Sequence, residues 1–252
     1  MLDLFKKITQ KVEEVYKNTP PAIGVIGVSG VGKSSTLNSM FKTQLKTSAT
    51  IRCTTEFSDH LVGTTVTNGP HEGKNAVLRV IDAPGLGEDI RQDPAYLKMY
   101  SENLPQCDVI LYILSARNRA VALDQQYLKD LGEFYDKMVF GINQVDLVEP
   151  MDWDFAKNMP SENQESNIQE ILSDRKSRIE DIIGREIKII PYGAKQYYRL
   201  SNLFESIIDS CPEDRLWLFQ IIKGFSAKDW LDKVEGISEE EKERILKSSN
   251  NK

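Results

Sequence analysis

The rhythm of apolar positions changes at about residue 20. From residue 2 to 17, Leu4, Phe5, Ile8, Val12, Val15 and Tyr16 recur at helical spacing on an otherwise polar segment, which predicts an amphipathic helix. Thr19-Pro20-Pro21 ends it, because proline has no amide hydrogen and pushes the residue before it to extended geometry. Short apolar runs then alternate with helical stretches. Residues 22–27, 77–81, 109–114, 138–142 and 187–190 read as strands, and the run 109–114 is apolar at every position, as a strand covered on both faces is. Residues 34–41, 123–135 and 168–183 read as helices, and the polar stretch 152–166 reads as a loop. Residues 212–252 read as further helix with Trp217, Leu218, Ile221 and Ile222 on one face, fraying in the charged stretch from Ser238 onward. Strands alternating with helices predict an α/β fold with a doubly wound, mostly parallel sheet flanked by helices and right-handed crossovers. The expected organisation is an N-terminal helix over 1–19, a central domain over 20–210 and a C-terminal helical extension over 211–252.

Composition narrows the class without changing that picture. The 252 residues suit one large domain with helical additions, and no apolar stretch approaches the roughly 18 residues of a spanning helix. With 32 Lys and Arg against 38 Asp and Glu, the net charge of −6 argues against a broad nucleic-acid footprint, and no DNA partner is expected. Cys53, Cys107 and Cys211 are an odd count with no C-x-x-C spacing, so neither a disulfide framework nor a zinc site is expected. The charged N-terminus has no signal-peptide core, which together with the free thiols implies a soluble cytoplasmic protein.

The chemistry is concentrated in four segments, each placed after an expected strand. Gly27-Val28-Ser29-Gly30-Val31-Gly32-Lys33-Ser34 is G-x-x-x-x-G-K-S between a strand and a helix, the context of a P-loop. Its glycines let backbone N–H groups turn toward phosphate oxygens, and the helix N-terminus adds partial positive charge. Ser29, Gly30, Val31, Gly32, Lys33, Ser34 and Ser35 are the expected nucleotide-binding residues here; Lys33 reaches the β- and γ-phosphates, and the Ser34 hydroxyl ligates Mg²⁺. Asp82-Ala83-Pro84-Gly85 is D-x-x-G, whose carboxylate can hold Mg²⁺ through water and whose Gly85 N–H can sense the γ-phosphate. Asn143-Gln144-Val145-Asp146 resembles the guanine box N-K-x-D with Gln for Lys. An aspartate accepts from guanine N1–H and the 2-amino group, donors that adenine lacks there, and a site left with an unpaired carboxylate rejects the wrong base by roughly 10⁴-fold, about 5 kcal/mol. Gly193-Ala194-Lys195 resembles the S-A-K segment that contacts guanine O6 and covers the ring.

In this order the four segments resemble a small GTPase G domain over about residues 21–209. The P-loop with Ser34-Ser35, the phrase Ile81-Asp82-Ala83-Pro84-Gly85-Leu86-Gly87-Glu88 and the later Arg119-Ala120 are similar to the bacterial Era-related, prophage-type GTPase family. The P-loop pattern is also similar to septins and to immunity-related and chloroplast-import GTPases. The resemblance implies GTP and GDP as ligands with Mg²⁺, hydrolysis of GTP, and pairing of G domains across the nucleotide face.

Three residues depart from that pattern. Leu86 stands where the Ras family carries a water-orienting glutamine, which implies slow turnover alone. Gly30 stands where Era-type proteins often carry an asparagine that helps bind potassium, and Gln144 removes the long lysine stem of the guanine box. The switch-I threonine, a metal and catalytic ligand, falls at Thr54 or Thr55, because residues from 57 onward can form the next strand; Thr64 and Thr65 stay as the alternative. Lys33, Thr54, Thr55, Gly85 and Arg119 make up the expected catalytic set, and Ser34, Thr54, Thr55 and Asp82 the metal set.

Other polar residues carry less. His60 and His71 lack a third ligand at zinc spacing. Asp130, Glu133 and Asp136 read as a solvated helix face. Arg117 and Arg119 follow a strand end that faces the nucleotide side, either as a solvated loop or as a charge contact to nucleotide or across a dimer. Three functions follow: a slow GTPase switch, a nucleotide-dependent dimerisation module in which hydrolysis is secondary, and an ATP-using P-loop enzyme for which Asn143 and Asp146 are coincidence. A GTP-dependent homodimer is the partner expected first, with an effector or a membrane surface for the N-terminal helix second.

Overall fold

The computed structural model describes residues 19–41, 57–65, 75–87, 91, 93–117, 121–212 and 215. The expected helix over 2–17, the extension beyond 215, and the residues Thr54, Thr55 and Arg119 lie outside these.

The described chain runs β1 (Ala22–Ile26), α1 (Lys33–Phe41), β2 (Ser58–Thr65), β3 (Asn75–Asp82), α2 (Asp93–Asn103), β4 (Val109–Ser115), α3 (Ala122–Asp130), β5 (Met138–Asn143), α4 (Glu162–Ile183), β6 (Ile189–Pro191) and α5 (Leu200–Asp209). The strands form one six-stranded sheet in the order β2-β3-β1-β4-β5-β6. All neighbours are parallel except β2, which runs antiparallel to β3 at the edge. Every residue of β1, β4 and β5 is buried, which is why these strands read as unbroken apolar runs rather than as alternating ones.

Helices close both faces, as parallel crossovers require. On α5, Leu200, Leu203, Phe204, Ile207 and Ile208 make one buried stripe, and Phe204 meets Phe41 of α1 edge-on at 6.0 Å between ring centroids. A buried polar contact, described below, joins α2 to α3. The chain ends of the described domain are pinned together: Arg215 pairs with Asp108 at 2.9 Å and donates to the Thr19 and Pro20 carbonyls, while Asp108 accepts from the Ala22 N–H at 2.8 Å. Among the described residues no helix is long and apolar enough to cross a membrane.

Several boundaries differ from those expected. The helix read over 123–135 ends at Asp130, and Gly132–Lys137 is a 3₁₀ turn, because Gly132 weakens the helix there. The stretch 152–166 is not loop throughout: α4 begins at Glu162, capped by the Ser161 side chain, which accepts from the Gln164 N–H. That cap outweighs the polar composition of the first turn. The helix α2, the strand β2 and the helix α5 complete the fold around the expected elements.

Candidate functional site

The expected functional segments meet at the C-terminal ends of β1, β3, β5 and β6, where an open α/β sheet places its ligand crevice. The P-loop leaves β1 at Gly27, whose φ of 144° and approach to the Ile113 carbonyl exclude a side chain: a Cβ there would lie 2.4 Å from that oxygen. The chain enters α1 at Lys33, so the unpaired N–H groups of its first turn face the crevice. Ser29 and Gly30 are exposed and Val31 is buried. The Lys33 side chain is buried along the loop, its Nζ donating to the Gly27 and Val28 carbonyls at 3.1 and 3.2 Å.

The D-x-x-G segment is laid directly on this loop. Asp82, fully buried at the end of β3, accepts from the Ser34 hydroxyl at 3.0 Å. Ser29 N–H donates to the Leu86 carbonyl at 2.8 Å, within a parallel bridge of Val28 with Leu86. Gly85 fits between: a Cβ there would sit 2.8 Å from Ser29 Cα and 2.9 Å from Lys33 Nζ. The Leu86 side chain is 1% exposed, so it packs into the core and not over the crevice. Beyond it the Asp93 carboxylate accepts from the Gly87 N–H at 3.0 Å and from the Tyr127 hydroxyl of α3, and Tyr100 donates to the Pro84 carbonyl. The Asp93, Tyr100 and Tyr127 contacts were not among the expected site residues; no motif spacing marks them.

The expected base-reading segments are joined to the P-loop by side-chain amides. Asn143, buried at the end of β5, donates to the Val31 carbonyl at 3.0 Å and accepts from the Ala194 N–H at 3.0 Å. Gln144 follows in the left-handed region with φ 66°, and its amide bridges the Gly30 carbonyl, at 3.2 Å, and the Ser115 hydroxyl, at 2.5 Å. The side chain that replaces the usual lysine therefore still lies across the loop. Asp146 is half-buried beside Gly193: a Cβ on that glycine would lie 3.1 Å from Asp146 Oδ1. Burial pushes the Asp146 carboxyl above its ordinary value, while its own backbone N–H, Lys195, Gln196 and Arg117 draw it back. Lys195 itself is exposed.

The structure does not bring every candidate to this edge. In β2 the register sets Ser58 opposite Asp82 and Thr65 opposite Asn75, so Thr64 and Thr65 lie at the far end of β3, about 20 Å from Asp82 at a strand rise of about 3.3 Å. Arg117 is exposed on the loop after β4, and its backbone N–H donates to Ser115 Oγ. His60 sits on β2 with Nε2 3.0 Å from Ser58 Oγ, away from any metal cluster, and none exists among the described residues. Asp130, Glu133 and Asp136 are exposed.

Residues 22–144 match the 50S ribosome-binding GTPase family. YfjP, an uncharacterized protein of Escherichia coli K12, is 32% identical over 165 residues, which is 65% of this chain and 53% of YfjP, so the chain spans about half that relative's length. Among solved structures, a variant of Aquifex aeolicus Era bound to GDP·AlF₄⁻ shares the fold with a TM-score of 0.55 at 21% identity, covering 76% of this chain and 57% of Era. Toc33 from Arabidopsis thaliana, in complex with Mg²⁺ and GMPPNP, does so with a TM-score of 0.50 at 20% identity, covering 77% and 76%. The family match spans β1 to β5, the strands that carry the P-loop, D-x-x-G and Asn143, and over them the chain is similar to bacterial P-loop GTPases whose fold it shares with Era.

Proposed function

We propose that the chain binds GTP and GDP with Mg²⁺ and hydrolyses GTP to GDP and phosphate, slowly when alone, as a nucleotide switch. The observation that carries this reading is the Asn143 bridge: one buried amide ties the Val31 carbonyl of the P-loop to the Ala194 N–H of the base segment, with Asp146 beside them. A P-loop joined in this way to an acceptor-only carboxylate suits guanine, whose N1–H and 2-amino group present two donors side by side.

Each residue then has a part. The α1 N-terminus and Lys33 neutralise the β- and γ-phosphates, Lys33 exchanging its loop carbonyls for phosphate oxygens. Ser34 and Asp82 are hard oxygen donors already in hydrogen-bond contact, a donor set that suits Mg²⁺. Bound there, the ion would offset charge on the phosphate oxygens. In the reaction a water oxygen bonds to the γ-phosphorus as its bond to the β–γ bridging oxygen breaks; GDP, inorganic phosphate and a proton leave. Gly85 can offer its N–H to the γ-phosphate, and Thr54 or Thr55 would add the switch-I hydroxyl.

Leu86 favours a second reading of how turnover is completed. Its side chain is in the core and has no polar group, so D-x-x-G supplies no group to orient water. The missing group then comes from a second copy across the nucleotide face, with Arg119 as the donor of positive charge in a GTP-dependent homodimer; an arginine supplied in trans contributes about 10³–10⁵-fold in related chemistry. Competition binding with GTP, GDP and ATP, with and without Mg²⁺, tests the main reading: GTP and GDP should displace a labelled guanine nucleotide and ATP should not. Equal displacement by ATP would sink it. Sedimentation with a non-hydrolysable GTP analogue tests the homodimer, and a strict monomer at tens of micromolar protein, with turnover unchanged by Arg119→Ala, leaves an outside activator as the better account.

A further inference from the structure

Behind the base-reading residues stands a second layer that none of the motifs contains. Between the guanine-box segment and α4 the chain folds back on itself. Asp154 and Met159 exchange backbone hydrogen bonds at 2.9 and 3.2 Å, and Asp154 Oδ1 accepts from the Ala156 and Lys157 N–H groups at 3.0 Å each. Inside this strap Trp153 is buried edge-on against Tyr198, with ring centroids 5.0 Å apart. Its indole N–H donates to Asn158 Oδ1 at 3.1 Å. Asn158 is 4% exposed and held in the left-handed region, φ 51°, a conformation asparagine tolerates better than most residues. From there its Nδ2 donates to the Gln196 carbonyl at 2.8 Å.

That carbonyl belongs to the segment that reads the base. Gly193 and Tyr198 exchange backbone hydrogen bonds at 3.1 and 3.0 Å, closing residues 193–198 into a tight loop, and Ala194 N–H is fixed on Asn143. The Gln196 side chain faces the Asp146 carboxylate as a donor. A second amide supports the Asp146 backbone. Gln164, in the first turn of α4 and fully buried, donates from Nε2 to the Val148 carbonyl at 2.8 Å and to the Asp146 carbonyl at 3.3 Å. Its Oε1 is buried with no hydrogen-bond partner among the described residues. Keeping such an amide in the core is unfavourable, and a methionine would fill the space without that cost. Its observed role is to fix the backbone of Asp146.

We infer that Asn158 and Gln164 are positioning residues for base selectivity: Asn158 through the Gln196 carbonyl, and Gln164 through the Asp146 carbonyl, hold the two halves of the guanine reader at one spacing. The inference rests on the reading of Asp146 as the guanine acceptor. Neither residue touches the base, so each acts on discrimination only through Asp146 and the 193–198 loop. The physical reason is that a hydrogen bond to the 2-amino group weakens steeply with misalignment.

The test compares GDP, IDP and ADP binding to the wild type, Asn158→Asp and Gln164→Met, with thermal unfolding measured alongside. IDP lacks only the 2-amino group. Asn158→Asp keeps the acceptor for Trp153 and loses the donor to Gln196, so the strap retains its indole hydrogen bond. The expected result is GDP affinity lowered about tenfold in each variant and IDP affinity lowered much less, so the GDP-over-IDP preference shrinks several-fold. A merely structural role would weaken GDP and IDP equally and leave that preference unchanged, and an unchanged preference in both folded variants overturns the inference alone. A wild type that binds ADP as tightly as GDP overturns the guanine reading and the inference together. Should Gln164→Met unfold, Asn158→Asp decides by itself, and Gln164→Glu, which keeps shape and acceptor but loses the donor, replaces it.

Discussion

The two ends of the crevice are held by different means. At the base end, side-chain amides make the joints: Asn143 to Val31 and Ala194, Gln144 to Gly30 and Ser115, Gln164 to Val148 and Asp146, Asn158 to Gln196. At the phosphate end the two loops also meet backbone on backbone, Ser29 on Leu86, with Gly85 pressed against Ser29 and Lys33 where no side chain fits, beside the Ser34–Asp82 hydrogen bond. A side-chain joint fixes a reader in place and is removed one residue at a time. A backbone joint between two loops breaks as a unit when either loop changes its dihedrals. In the proposed nucleotide switch, the base end would stay in place and the phosphate end would move with the γ-phosphate.

The comparison is broken most severely from the phosphate end. Lys33→Ala removes the cation that donates to the Gly27 and Val28 carbonyls while leaving every base-end joint intact. Guanine nucleotide affinity should fall by roughly 10²–10³-fold with the fold preserved. Titration calorimetry checks it, and wild-type affinity would refute the P-loop role. Next comes Asp146→Asn at the base end. An amide donates as well as accepts, and xanthine offers an acceptor where guanine has its 2-amino donor. GTP affinity should fall about 100-fold and xanthosine triphosphate affinity should rise, with phosphate contacts untouched. A variant that keeps its GTP preference places the guanine reader elsewhere.

The same contrast explains what could be seen in the sequence. The phosphate end is legible because its backbone geometry demands particular residues: Gly27, Gly32 and Gly85 are forced by close approach or positive φ, and they fall at fixed spacing. The strands were legible because burial on both faces leaves only apolar residues in 109–114 and 138–142. The base end was legible only at the residues proposed to meet the base, Asn143, Asp146 and 193–195. Its supports were not. Gln164 looks like one more polar residue in a polar stretch, and only the position of Val148 and Asp146 above it gives the amide a task. Ser161, three residues before Gln164, is the one local sign, since Ser-x-x-Gln is a helix-start pattern; yet the Gln side chain turns to the base loop instead of back to the cap. The break at Gly132 and the position of Asp93 under Gly87 likewise depend on tertiary contacts.

Gly85→Ala sharpens the claim that the phosphate end works through backbone approach. The added methyl would lie 2.8 Å from Ser29 Cα, against main chain that cannot swing aside, so the two loops must part. Overpacking of this kind costs about 1–3 kcal/mol, which corresponds to roughly 10–100-fold in turnover. GDP affinity should change less, because the base-end joints do not pass through Gly85. Single-turnover GTP hydrolysis set beside GDP binding measures the split; an equal loss in both would mean that the two ends are not separately held.

The gentlest break uses pH, because the amides of the base end carry no titratable proton whereas the outer support of the phosphate end does. Gly87 rests on Asp93, which is held by Tyr127 of α3, and one turn earlier on that helix Asp124 is buried and accepts from the Tyr112 hydroxyl of β4 at 3.0 Å. Burial pushes the Asp124 carboxyl up to about 6, against the opposing pull of the Tyr112 hydrogen bond and of Arg175. A carboxyl raised from 3.8 in this way binds its proton more tightly in the native state, so between those two values the native protein holds more protons than the unfolded one. Stability from this group is therefore present at low pH, falls as pH rises through that window, and is constant above it; the whole change is at most about 3 kcal/mol. Asp124→Asn still accepts from Tyr112 and carries no charge, so it removes this slope while guanine nucleotide affinity stays that of the wild type. Urea midpoints from pH 4 to 8 should show the variant gaining on the wild type up to about pH 6 and then running parallel to it. A difference that is flat across the window would mean that Asp124 ionises at its ordinary value, and that α3 supports the phosphate end without a buried neutral carboxyl.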